Sequence, residues 1–279
     1  MKLNWLQSAM MGFVSGLAEP LPLSAEAHRG LLRQLFGTQS EGPLFLLVCH
    51  AAVLVVVLLT GKLELNRLRR TRRLLKTPPR RRTSHPELNS AGTLKLLRSA
   101  ALIAVVGRLL SVYLTDISDK LYLLTPMLIV SGILLWLPTQ MRTANKDGRH
   151  LAPVDGMLMG LGAALGSVPG ISLVGSAASI GIMRGVERHY AVRFSWLLLV
   201  ASLGTAVALD VLAVIGTGVS FAWKELLAVA IAGACAAFGA YLAVKLMLSL
   251  VRQGGSGITG FCYYNWGLAL LCLVLFLLV

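Results

Sequence analysis

Two short stretches carry residues whose types and spacing could do chemistry. The first is Glu19-Pro20-Leu21-Pro22-Leu23-Ser24-Ala25-Glu26-Ala27-His28. Ser24 and His28 are four residues apart, so on a helix they share a face. A serine beside a histidine is a nucleophile–base arrangement. A glutamate in an apolar setting is costly and therefore a functional candidate, and the carboxylate of Glu19 suits a divalent cation such as Mg²⁺ or Ca²⁺. The plainer alternative puts Glu19 at a water-exposed mouth and makes Ser24 the cap of a helix that starts after Pro22. The second stretch is Pro169-Gly170-Ile171-Ser172-Leu173-Val174-Gly175-Ser176. A glycine-containing turn that opens a helix exposes backbone N–H groups, and these attract phosphate. The alternative is that Gly170, Gly175, Ser172 and Ser176 are small simply to let membrane helices pack.

The elements around these stretches are apolar. Of the 279 residues, 56% are hydrophobic and 14% charged, against about 25% charged in an ordinary soluble domain. Six segments are long enough, or nearly so, to span a bilayer: 43–60, 97–114, 121–138, 193–216, 224–248 and 259–279. Backbone polar groups in hydrocarbon must be satisfied internally, which favours helices, and no strand-like alternation of a membrane barrel is present. Two further apolar regions, 4–36 and 154–188, are interrupted at Glu19-Pro20-Leu21-Pro22 and at Val168-Pro169-Gly170. Proline removes a donor and clashes with a continuing helix, so both read as re-entrant helical hairpins. The expected fold is all-α and membrane-integral, one domain over 1–279.

The net charge of +14 does not point to nucleic acid. It is concentrated between Lys62 and Arg98, without interleaved aromatics, and reads as a basic cytoplasmic loop over 61–96 under the positive-inside rule. Loops 139–153 and 249–258 then share its side and both termini lie outside the cytoplasm. The first hairpin opens outward and the second inward. With Ser24 aligned on Ser172, Phe45 and Phe194 fall at matching places, which predicts an inverted repeat of 1–138 and 154–279 with a binding site where the halves meet. Cys49, Cys235, Cys262 and Cys272 lie in or beside apolar segments and read as small buried hydrophobes. No cleavable signal peptide is expected. No further set of intramembrane charges is picked out, which argues against a plain ion channel or solute transporter.

The two motifs in this layout resemble the undecaprenyl-diphosphate phosphatases of bacteria, the bacitracin-resistance type. The family's first motif is close to E-F-L-P-V-S-S-T-G-H and its second to P-G-x-S-R-S-G-A-T. The likeness continues through Gly185-Val186-Glu187-Arg188, Phe194-Ser195-Trp196-Leu197-Leu198 and Ala206-Val207-Ala208-Leu209-Asp210. It implies six spanning helices plus two hairpins in the bacterial cytoplasmic membrane, and removal of the terminal phosphate of a polyprenyl diphosphate carrier lipid. By motif position Ser24 is the nucleophile, His28 its acid–base partner and Glu19 the ligand of a divalent cation, with Gly170, Ser172, Gly175, Ser176 and Arg188 on the substrate. The implied partners are that lipid and the membrane, with a homodimer as an open option.

The sequence departs from the pattern at chemically important places. Ser15 stands where the family has a further glutamate, Leu173 where it has an arginine, and Ala177 where it has a threonine. An arginine on a transferring phosphoryl group is worth about 10³–10⁵ in rate. Arg29, Arg184 or Arg188 could replace it only if the fold brings one to the pocket, and Glu26 could replace the carboxylate from a different helix face. Two readings follow: a phosphatase with an altered site, or a non-catalytic relative that binds or translocates a polyprenyl phosphate.

Overall fold

The computed structural model describes residues 4–38, 41–76, 91–141, 146, 150–217, 222–252 and 259–278. They form an all-α, multi-pass membrane protein. In order come α1 (Trp5–Ala18), α2 (Ala25–Phe36), α3 (Pro43–Thr60), α4 (Lys62–Lys76), α5 (Ala91–Leu110), α6 (Thr115–Asp119), α7 (Leu121–Trp136), α8 (Pro153–Leu165), α9 (Leu173–Met183), α10 (Arg188–Thr217), α11 (Trp223–Arg252) and α12 (Gly260–Leu278). Six of these, α3, α5, α7, α10, α11 and α12, are long and apolar enough to cross a membrane, α5 and α7 with the short 3₁₀ turn that follows each. Among the described residues the only β pairing is an isolated bridge between Lys146 and Val186.

Both interrupted regions are broken where the prolines predict. The first is α1 and α2 around residues 19–24, the second α8 and α9 around 166–172. These four helices have 14, 12, 13 and 11 residues. At about 1.5 Å per residue they reach roughly 17–21 Å, short of the ~30 Å hydrocarbon core. The stretch 61–96 differs from a plain loop. Its first half is helix α4, which buries Leu68 and Thr71 and packs on α5. Leu65, Leu68, Thr71 and Leu75 follow at three- or four-residue steps and give an otherwise basic segment one less polar stripe. Residues 77–90, including Arg80–Arg82, lie outside the described residues.

Packing is reciprocal between the two parts of the chain. α1 lies on α11 as α8 lies on α5. α3 packs on α11 as α10 packs on α5, and the pairs α3–α10 and α7–α12 close the bundle. Both hairpin contacts use small residues at four-residue spacing, the pattern that lets membrane helices approach backbone to backbone. Gly12 and Gly16 face Ala232 and Ala236, while Gly156 and Gly160 face Leu96 and Ala100. A side chain at position 16 would collide with the Ala236 carbonyl. Phe45 and Phe194, matched in the two halves, are both fully buried in the core between the hairpins.

Candidate functional site

The two breaks meet. Ser24 and Ser172 are the N-caps of α2 and α9, each accepting a bond from the backbone three residues on, Ala27 N at 3.3 Å and Gly175 N at 3.1 Å. Across the break, Gly170 N donates to Ser24 Oγ at 3.0 Å, and Ser172 Oγ donates to the Leu21 carbonyl at 3.3 Å. Broken backbone at membrane depth persists only where its polar groups find partners, and here side chains from distant helices supply them. Trp196 Nε1 of α10 donates to the Pro20 carbonyl at 3.0 Å. Asn265 Nδ2 of α12 donates to the Pro22 carbonyl at 3.2 Å. Ser131 Oγ of α7 accepts from Ser172 N at 3.3 Å. Gly170 has φ +96°, a conformation open to glycine and strained for other residues.

A small pocket opens beside this crossing. Glu19, Ser24, Ala25, Glu26, Arg108 and Leu173 line it, together with Gly166, Ile171 and Ser202. The N-termini of α2 and α9 thus border one polar cavity, a setting that favours an anion. Ser24 Oγ accepts two backbone N–H bonds, and its own O–H has no acceptor among the described residues.

His28 does not meet that hydroxyl. Its Nδ1 donates to the Ser24 carbonyl at 2.6 Å, since a carbonyl only accepts, and its Nε2 lies 2.8 Å from the Tyr264 hydroxyl. The four-residue spacing does bring the two residues together, but Ser24 has the extended backbone of an N-cap. The ring therefore reaches the carbonyl that begins the helix, while the hydroxyl turns back to cap it. Ser176 sits in packing, its Oγ donating to the Gly162 and Ser172 carbonyls at 2.6 Å. Gly175 and Arg188 line a second, small cleft, to which Pro22 of the first break also contributes.

The residues weighed as replacements for missing charges fall in different places. Ser15 is buried, bonded to the Met11 carbonyl, and does not line the pocket, whereas Glu26 does. Arg184 is held by Asp155 at 2.9 Å. Arg29 lies between Glu26 at 4.0 Å and Glu41 at 3.9 Å. The guanidinium that lines the pocket belongs to Arg108, whose Nη1 donates to Glu26 Oε1 at 3.0 Å. Sequence reading passed over it, although an arginine well inside the apolar segment 97–114, ten residues beyond Arg98 at its edge, was a sufficient signal. It also gave no role to His50 or Asp210, although both are ionisable groups inside apolar helices. His50 is buried, its Nδ1 2.7 Å from Asp210 Oδ2 and its Nε2 4.0 Å from Glu19 Oε1.

Among the described residues no group of three or more His, Cys, Asp or Glu side chains could hold a metal alone. Glu26 Oε1 is taken by Arg108. The carboxylate of Glu19 makes no hydrogen bond with another described residue and lines the pocket. That is a fit for a cation of the kind held by one or two carboxylates together with substrate phosphates.

Comparison with known proteins adds sequence kinship to this geometry. The family model described as bacitracin resistance protein BacA matches residues 8–271. An undecaprenyl-diphosphatase of Carboxydothermus hydrogenoformans is 29% identical over 277 residues, 98% of each chain. Undecaprenyl-diphosphatase 3 of Bacillus cereus is 27% identical over 274 residues, again 98% of each. An undecaprenyl-diphosphatase of a Nocardioides species is 29% identical over 205 residues, 73% of this chain and 74% of that protein.

Proposed function

From the premise that this chain belongs to the bacitracin resistance protein BacA family, we propose that it hydrolyses a polyprenyl diphosphate in the bacterial cytoplasmic membrane, as the names of its relatives say of them. Water is added across the terminal P–O–P bond, giving the lipid monophosphate and inorganic phosphate. The observation that carries this reading is the convergence of two Ser-capped helix N-termini on one pocket with a carboxylate. Ser24 is the nucleophile candidate, because its hydroxyl is fixed by Gly170 and Ala27 while its proton stays available to the pocket. Backbone N–H groups at the starts of α2 and α9 hold phosphate oxygens. His28 acts at one remove, fixing the first turn of α2 through the Ser24 carbonyl. Glu19 holds a divalent cation, which when bound neutralises charge on the diphosphate. The halves 1–138 and 154–279 form an inverted repeat with both termini outside the cytoplasm, and the reciprocal packing of α1–α11 and α8–α5 supports that arrangement.

Phosphate release from a polyprenyl diphosphate by the purified full-length protein, with and without Mg²⁺ or Ca²⁺, tests the reading. Release that Ser24→Ala and Glu19→Gln both abolish is the expected result. Absence of release from folded wild type would sink it. A second reading, a protein that binds or translocates the lipid phosphate without cleaving it, is favoured by the second cleft across the break and by the separation of Ser24 Oγ from the His28 ring. Saturable lipid monophosphate binding without turnover would select it.

A further inference from the structure

Position 173, where relatives of this type are expected to carry an arginine, is a leucine that lines the pocket, yet the pocket is not without a guanidinium. Arg108 enters it from α5, a different helix. The arginine interrupts the apolar spanning segment Gly92–Leu114. Such a charge persists where it has a partner and a purpose in a polar cavity. Its partner is Glu26, through one bond only, from Nη1 to Oε1. The other N–H groups of its five-donor fork bond to no other described residue, and they are not sealed from the cavity. A guanidinium with most of its fork open, 16% exposed, in the same cavity as Ser24 and two helix N-termini is built for bidentate contact with phosphate oxygens.

On the far side of Glu26 lies a second arginine, Arg29. Arg29 approaches the same Oε1 at 4.0 Å, beyond hydrogen-bond length. Its Nη1 is buried and has no hydrogen-bond partner among the described residues. Leaving a buried charged donor unmatched is costly, so an acceptor that could move onto it has somewhere to go. Glu26 therefore stands between Arg108, which it bonds and which faces the pocket, and Arg29, which has a buried unmatched donor and does not line the pocket.

We propose that Arg108 is the phosphate-binding guanidinium of this pocket, supplied by α5 in place of position 173, and that Glu26 moves from Arg108 to Arg29 when the phosphate arrives. The inference rests on the pocket being a lipid diphosphate site. It adds a residue and an exchange that the two motifs do not contain.

The test uses the full-length protein in nanodiscs, with two readouts: kcat/KM for a polyprenyl diphosphate and affinity for a polyprenyl monophosphate. Arg108→Gln is expected to lower kcat/KM by about 10³-fold or more and to weaken monophosphate binding by at least about tenfold. Adding Leu173→Arg to that variant returns an arginine to the same cavity, and at least about a tenfold recovery of either readout is expected. Glu26→Gln is expected to tighten monophosphate binding, because it frees the Arg108 fork. A purely structural role for the pair predicts the reverse. Unchanged rate and affinity in folded Arg108→Gln would overturn the assignment, and weaker binding in Glu26→Gln would overturn the exchange. Where Arg108→Gln does not fold, Arg108→Lys carries the test, since it keeps the charge and loses the fork. An unaltered kcat/KM and affinity would then be the refuting result. A wild type that binds monophosphate but releases no phosphate would remove the hydrolase reading and leave the binding arm to judge Arg108 by itself.

Discussion

Replacing Gly170 by alanine tests the crossing of the two breaks more directly than any change to a charged residue. Gly170 has φ +96°, and non-glycine residues pay roughly 1–2 kcal/mol in left-handed backbone. A Cβ added there would lie 2.5 Å from Met127 Cβ on α7 and 3.4 Å from the Leu124 carbonyl. Both are parts of a helix with little room to retreat, and overpacking of this kind costs about 1–3 kcal/mol. The sum, roughly 2–5 kcal/mol, applies to the segment whose N–H holds Ser24 Oγ at 3.0 Å. Gly170→Ala is therefore expected to lower the unfolding midpoint by roughly 5–15 °C and to depress phosphate release at temperatures where the variant is still folded. Gly204 serves as the control. It lies in the spanning helix α10, and a Cβ there meets nothing within 4 Å. Gly204→Ala should be neutral or stabilising by about 0.5–1 kcal/mol, through helix propensity alone. Thermal unfolding of both variants in one detergent, followed by intrinsic fluorescence, gives the comparison. If Gly170→Ala unfolds at the wild-type temperature, the hairpin tip is not fixed against α7 as described and the reasoning fails.

Three other expectations are independent of that one. Reporter fusions after residues 80, 146 and 254 should report cytoplasm, and a fusion at the C-terminus should report the outside; an external signal at residue 80 would reverse the arrangement. Asn265→Leu leaves the Pro22 carbonyl without the bond that Asn265 Nδ2 gives it at 3.2 Å. A loss of about 1–3 kcal/mol is expected, and thermal unfolding indistinguishable from wild type would show that the carbonyl finds another donor. Asp155 is fully buried, accepts from Ala152 N at 3.0 Å at the start of α8 and pairs with Arg184 at 2.9 Å. Asp155→Ala should cost about 1–2 kcal/mol as a lost cap, while Arg184→Ala, whose side chain is 45% exposed, should cost less than about 1 kcal/mol. Equal losses in melting experiments would mean that the ion pair rather than the cap dominates.

The sequence by itself determined the architecture. Apolar length sets which helices can span, and the span read as 43–60 coincides with Pro43–Thr60, because a bilayer imposes its thickness on a chain regardless of partners. Proline breaks are equally local, and both interruptions fall where Pro20, Pro22 and Pro169 remove donors. That Ser24 caps a helix after Pro22 was legible for the same reason. What the tertiary structure decided is which side chains share a cavity. Glu19, Ser24 and Glu26 come from one break, Leu173 from the other, and Arg108 from α5, a helix that contains neither motif. The direction of the Ser24 hydroxyl toward Gly170 rather than His28 depends on a residue far along the chain. So do the donors that make the breaks tolerable, Trp196 and Asn265. A charge inside an apolar helix announces from sequence that it needs a partner. Whether that partner is Glu26, as for Arg108, or Asp210, as for His50, is set by helix rotation and crossing, to which many distant small-residue contacts such as Gly16 on Ala236 contribute together.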